Sequence, residues 1–201
     1  MSDAPPGLGG RLALADRDDL NDSAQELFDD ITDTAVAWAR RNGFSAATSD
    51  GRLIGPFNPS LLNPGIAGAF LKLQTAEQQC SSLDECTRQV VILTVGSVWR
   101  APYELYAHST VARHAGLSEA VIAELVAGTE PKALTDHQRT AHRLARALST
   151  AHHVDDGLYG QATQRFGSAG VFDITMLTGI YHTVCGILNA FAIPAPNNHQ
   201  R

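Results

Sequence analysis

An all-α protein is predicted by three observations. Apolar residues recur at steps of three and four in one segment after another, Gly and Pro fall where helices end and begin, and no strand pair with a turn between appears. At 201 residues, 44% of them hydrophobic and 18% charged, the chain predicts one soluble globular domain. Its expected limits are 15–196, with a Pro/Gly-rich flexible lead over 1–14 and a tail over 197–201.

The first helix is read from Leu20, Ala24, Leu27, Phe28, Ile31, Ala35 and Trp38, with Gly43 as its stop and Arg40-Arg41 as a cationic last turn. Residues 51–65, GRLIGPFNPSLLNPG, read as a loop that packs on the body through Leu53, Ile54, Phe57, Leu61 and Leu62. Asn63-Pro64 caps a second helix running to about Gln79. A third starts at Ser82–Asp84 and carries Val90, Val91, Leu93, Val95 and Val98. That β-branched run would suit a buried strand, but no turn signal precedes Pro102, so a buried helix is predicted.

Pro102 opens a fourth helix and Gly116 closes it; Ser118 caps a fifth that ends at Gly128. Thr135 and Gln138 have capping-box spacing for a sixth, through about Thr150. A short seventh spans Asp155–Phe166 and stops at Gly167, and a last, nearly all-apolar helix runs from Ser168 to Ile193. A helix apolar on most sides needs a central position or a partner subunit, so self-association is expected.

The net charge of −6 and the absence of a Lys/Arg cluster argue against a nucleic-acid partner. No run approaches the roughly 20 apolar residues of a membrane span, and the first residues lack the pattern of a signal peptide. Cys80, Cys86 and Cys185 form no disulfide framework and match no zinc or Cys-x-x-Cys pattern, so reduced thiols in the cytoplasm are expected. His114, His137, His142, His152 and His153 show no metal-ligand spacing; neither metal nor cofactor is expected.

The chemistry concentrates in Arg88–Gly116, RQVVILTVGSVWRAPYELYAHSTVARHAG. Glu104 and His108 stand one turn apart on the same helical face, Glu104 in the first turn after Pro102. Such a pair can hold, donate or remove a proton near neutral pH, with the carboxylate raising the imidazole's proton affinity. An exposed weak Glu–His pair is the bland alternative. Against it stand the flanking Trp99, Tyr103, Tyr106 and Val111, and the Tyr181-His182 pair on the last helix.

Three blocks resemble the carboxymuconolactone decarboxylase family, which shares its all-helical fold with the alkylhydroperoxidase-D (AhpD) proteins. They are GRLIGPFNPSLLNPGIAGAF, the central RQVVILTVGSVWRAPYELYAHSTVARHAGLSEAVIAEL, and FDITMLTGIYHTVCGILNAFAIPAP, over about residues 50–196. The resemblance implies an AhpD-like bundle of about eight helices, assembled as a trimer, dimer or hexamer. The peroxidase branch carries Cys-x-x-Cys-x-x-x-His with a Glu nineteen positions before the His; set on His108, those positions are Ala101, Glu104 and Gln89. Thiol-based peroxide reduction is therefore not expected.

The resemblance implies His108 as proton donor or acceptor and Glu104 as its cooperating carboxylate. The substrate is expected to be a small organic acid or lactone undergoing decarboxylation, isomerisation or lactone chemistry. Arg100 or Arg52 is expected to grip a substrate carboxylate, with capping of a carbonyl as the alternative for Arg100, and Trp99, Gln89, Tyr181 and His182 are expected as further binding residues. The alternatives are a non-catalytic scaffold oligomer and a divergent peroxidase using Cys80, Cys86 or Cys185.

Overall fold

The computed structural model describes residues 7–196 and is all-α among them, apart from one isolated bridge between Ala47 and Leu53. After a 3-10 turn, Arg17–Asp19, helix α1 (Asp22–Ile31) begins where the Asn21 side chain accepts from the Ala24 N–H. It does not run straight on. Thr32–Val36 form a π segment before α2 (Ala37–Arg41). The Thr32 and Thr34 hydroxyls donate to the carbonyls of Phe28 and Asp30, four residues back, and so compete for the acceptors an α-helix would use. The single helix expected there is thus α–π–α.

The 51–63 loop packs on the body as expected, with Leu53, Ile54 and Leu61 buried, and it contains a one-turn helix α3 (Phe57–Ser60). Asn58 is buried; its amide donates to the Ala13 carbonyl and accepts from the Ala15 N–H. Arg11 N–H donates to the Phe191 carbonyl. The described part of the expected lead is therefore tied down, and the expected tail lies outside the described residues. Gly55, at φ 67°, lies against the Tyr103 ring, whose hydroxyl donates to the Ser45 carbonyl. Gly55→Ala adds both backbone strain and overpacking, and should cost about 1–3 kcal/mol, read as a lower midpoint in chemical denaturation.

Helices α4 (Pro64–Cys80), α5 (Glu85–Trp99) and α6 (Pro102–Ala115) follow. Next come α7 (Glu119–Val126), α8 (Asp136–Thr150) with its capping box, and α9 (Asp156–Ala190). Gly167 is non-helical at φ 64°, ψ 174°, so α9 is two helices meeting at the expected stop.

The apolar run that would also suit a strand is the central helix. Every residue of α5 from Thr87 to Gly96 is buried, and α5 packs against α6, α7, α8 and α9. The last helix departs from expectation. It is long and apolar enough to cross a membrane by length and composition, correcting the reading that no segment is, yet it packs within the domain through Ile174, Leu177 and Leu188. Nor is it buried on most sides: Phe172 is 63% exposed, because only α5 and α8 cover it extensively. Helix α4 buries no residue fully and leaves Ile66 69% exposed.

Candidate active site

The break between α5 and α6 sets the geometry. Arg100 caps α5 in the left-handed conformation (φ 50°, ψ 46°), Ala101 is extended, and Pro102 starts α6. The new helix then returns along α5 closely enough that a Cβ at Gly96 would lie 3.3 Å from Glu104 Cγ and 3.1 Å from Leu105 Cδ2. Gly96 is therefore what admits the Glu104 side chain to the space between the helices.

On α5, Glu85, Arg88, Gln89 and Ile92 share one face; on α6, Glu104, Ala107 and His108 share another. Both faces, with Tyr181 and Val184 of α9, form the floor of a cavity of about 610 Å³. Its roof is Trp38 and the π segment on one side and Phe70, Leu71 and Glu77 of α4 on the other. Pre-formed concave sites of this size bind small molecules.

His108 is held at both ring nitrogens. Gln89 Nε2 donates to Glu85 Oε1 at 2.7 Å, which turns the Gln89 carbonyl oxygen toward His108 Nδ1 at 2.8 Å. An amide oxygen only accepts, so Nδ1 carries the proton and Nε2 presents its lone pair. Tyr181 Oη lies 3.3 Å and Glu104 Oε1 3.2 Å from Nε2. The Tyr181 ring stands edge-on to the imidazole. Its hydroxyl is held well above the ordinary phenol range, by burial first and by Glu104 second, so it stays a donor.

The electrostatics correct one expectation. Burial pushes the Glu104 carboxyl up to about 8, and burial together with the Arg88 cation pushes His108 down to about 3. Between those values both groups are neutral: Glu104 holds the proton and His108 lacks one. The carboxylate does not raise the imidazole's proton affinity, because burial of both side chains disfavours their charged forms.

Stability should record this. The folded-state value of Glu104 lies above its unfolded value of 4.5, so its contribution is full below pH 4.5 and is lost as pH rises to about 8. The folded-state value of His108 lies below its unfolded 6.5, so its contribution is full above pH 6.5 and is lost as pH falls toward 3. The two slopes oppose each other between pH 4.5 and 6.5, where a stability plateau is expected. In thermal melts across pH, Glu104→Gln should flatten the decline between pH 6.5 and 8; an unchanged decline would contradict a buried neutral Glu104.

Of the residues expected from sequence, Glu104, His108, Gln89 and Tyr181 meet at the cavity. Arg100, Trp99 and His182 do not line it. Arg100 is spent on the helix cap. Trp99 lies against His182 with the rings tilted at 53°, its carbonyl accepting from Asn189, and His182 Nε2 bonds Ser149 Oγ at 2.8 Å. Arg88, Glu77 and Trp38 are cavity residues that were not singled out from sequence. Arg88 carried a signal, being a cation at position i−1 from Gln89 on an otherwise apolar helix. No cysteine lines the cavity: Cys80 is exposed, Cys86 donates to the Ala115 carbonyl, and burial raises the Cys185 thiol.

The sequence profile of the carboxymuconolactone decarboxylase family matches residues 64–147, which span α4 to most of α8 and hold every polar group of the floor except Tyr181. No curated relative matches the chain by sequence. Among solved structures, the alkylhydroperoxidase AhpD core of an uncharacterized peroxidase-related protein from Ralstonia eutropha JMP134 is similar at TM-score 0.74 and 14% identity, over 94% of this chain and 93% of that one. An uncharacterized peroxidase-related protein from Silicibacter sp. TM1040 is similar at TM-score 0.73 and 17% identity, over 98% and 97%. A variant of the debrominase Bmp8 in complex with 2,3,4-tribromopyrrole is similar at TM-score 0.70 and 15% identity, over 97% and 95%. At these identities the likeness is one of fold, and the fold is AhpD-like.

Proposed function

We propose, for a chain whose residues 64–147 match the sequence profile of the carboxymuconolactone decarboxylase family, an acid–base enzyme that moves protons on a small organic substrate, in an isomerisation, decarboxylation or lactone reaction. One observation carries the reading. A neutral imidazole with its Nε2 lone pair toward the cavity stands 3.2 Å from a carboxyl that keeps its proton near neutral pH. His108 is the base and Glu104 the acid, the reverse of the usual charge state of a Glu–His pair.

In an isomerisation, Nε2 takes a proton from a C–H beside a carbonyl while Glu104 gives its proton to the developing oxyanion or to a distant carbon. Imidazolium and carboxylate are then left side by side. A proton passing between them across 3.2 Å restores the starting state without solvent. In a decarboxylation, carbon dioxide departs with the C–C bond electrons left on the organic fragment, and Glu104 protonates the resulting carbanion. Tyr181 donates to whichever oxygen occupies the space above Nε2.

Gln89 acts through His108 as a positioning residue. Gln89→Leu frees the ring to adopt the other tautomer and should lower kcat about 10- to 100-fold with KM little changed, and with the imidazole Nδ1–H resonance lost in NMR spectra. A unchanged kcat would contradict the tautomer assignment. The function itself is tested in D₂O with α-angelica lactone, an uncharged enolisable lactone. Wild-type protein should exchange its acidic C–H for deuterium above the uncatalysed rate, and His108→Ala should not; equal exchange by the two would overturn the reading.

The reading includes a homo-oligomer working in the cytoplasm, with neither nucleic acid nor membrane as partner. Leu62, Ile66, Leu73 and Phe172, all exposed in one subunit, support self-association. Light scattering at micromolar concentration should give a multiple of 21.4 kDa; a monomer would contradict it. The thiol-peroxidase alternative is not favoured, since none of the three thiols faces the cavity.

A further inference from the structure

We propose that the cavity selects an uncharged, flat ring compound bearing a hydroxyl or carbonyl, and discriminates against a carboxylate of the same shape. The inference rests on the acid–base reading for where the ligand sits, and adds to it the charge of the substrate, which narrows that reading to isomerisation or lactone chemistry, since a decarboxylation needs a carboxylate in the cavity.

The walls supply the shape. Trp38, Phe44, Phe57, Phe70, Tyr103 and Tyr181 all face the cavity, and rings packed on rings favour a flat ligand. The charges supply the sign. Asp30, Glu77, Glu85 and Glu104 line the space against only Lys72 and Arg88, four carboxyl groups to two cations. With Glu104 protonated the lining still carries three carboxylates against two cations.

The one buried cation is already committed. Arg88 Nη1 meets Glu77 Oε1 at 2.5 Å with both side chains almost wholly buried, and Arg88 Nε lies 3.5 Å from Glu85 Oε2. A substrate carboxylate would have to displace one of these or sit beside them as a further buried negative charge, which is costly in either case. Arg100, the cation expected to hold such a carboxylate, is at the helix cap outside the cavity.

Two buried polar atoms of the floor make no well-formed hydrogen bond: Glu104 Oε1, whose neighbour His108 Nε2 lies at 3.2 Å, and Arg88 Nε, 3.5 Å from Glu85 Oε2. A buried unpartnered polar atom costs free energy until something satisfies it. Here one is on a carboxyl and the other is a donor. A neutral hydroxyl accepts from Arg88 Nε and exchanges a hydrogen bond with the Glu104 carboxyl without adding charge, whereas a carboxylate reaches the same atoms only as a further buried anion among Glu77 and Glu85.

The test compares 4-methylphenol with 4-methylbenzoate, which share a ring and differ in charge at pH 7, by isothermal titration of the full-length protein. The phenol should bind at least about tenfold tighter, the size of effect expected when one ligand must bury an uncompensated charge. Glu77→Gln frees Arg88 and should raise the affinity for 4-methylbenzoate several-fold; should that variant fail to fold, Glu85→Gln on the more exposed side serves the same purpose. Equal affinities, tighter binding of the benzoate, or no binding of either compound up to 10 mM (about the weakest useful affinity) would overturn the proposal. So would a charge-removing variant that binds the benzoate no better. These are binding readouts. Loss of deuterium exchange with the charge preference intact would sink the acid–base reading alone, and the converse would sink this one alone.

Discussion

His108→Ala should lower turnover by about 10²- to 10⁴-fold, the range for removing a positioned general base, while circular dichroism retains the helical signature of the wild type. The side chain that is removed leaves an imidazole-sized space bounded by Gln89, Glu104 and Tyr181. Added imidazole should therefore restore part of the activity, with a pH dependence set by the added base. A structural role for His108 predicts neither the rescue nor its pH dependence. Full activity in a soluble, folded variant would remove His108 from the mechanism.

Arg88→Met should be the most destabilising single change at the site. It leaves Glu77, almost wholly buried, without the guanidinium 2.5 Å away. Breaking a buried ion pair from one side costs about 3–5 kcal/mol, because the remaining charge is uncompensated. In a domain of this size that is a fall of roughly 10 °C in Tm. Arg88→Met combined with Glu77→Met should recover most of the loss, since an apolar pair in the same volume leaves no buried charge. Additive losses in the double variant would mean that Glu77 is solvated and the pair is not the buried unit described here.

The two variants probe different parts of one arrangement. Arg88 depresses the proton affinity of His108 and is itself neutralised by Glu77 and Glu85, so charge is kept off the imidazole without being offered to a substrate. Burial does the rest by keeping the proton on Glu104. The position that holds the second thiol in the resembling peroxidase pattern is thus filled by a buried carboxylic acid, the group that the proposed proton transfer uses.

Much of the fold was legible because its punctuation is local. Asn63, Asp84, Ser118 and Thr135 cap the helices expected of them, and Gly116 and Gly167 adopt the positive φ that marks a stop. Spacing of four on a helix likewise puts Glu104 beside His108 from sequence alone. What was not legible depends on where helices cross. Gly96 reads as a weak point in an apolar helix until α6 is seen packed on it. Arg88 stands out in sequence as a cation on a largely apolar helix, but its partner Glu77, eleven residues earlier on another helix, is visible only in the fold.

Arg100, Trp99 and His182 point to the site only by closeness in sequence to the pair or by chemical type. The left-handed turn at Arg100 carries that residue off the cavity, and Trp99 and His182 pack against each other instead. The charge states were hidden for the same reason. A Glu–His pair four apart on an exposed helix is a salt bridge; only burial, a tertiary property, makes it a neutral acid beside a neutral base.

The protonation state of His108 tests this directly and requires no substrate. In ¹⁵N-detected histidine spectra recorded from pH 5 to pH 7.5, His108 should remain a neutral imidazole throughout, protonated at Nδ1 and bare at Nε2, consistent with its depressed value of about 3. An imidazolium at pH 6, or a neutral ring protonated at Nε2, would contradict the account of His108 as a base held ready beside the acid Glu104.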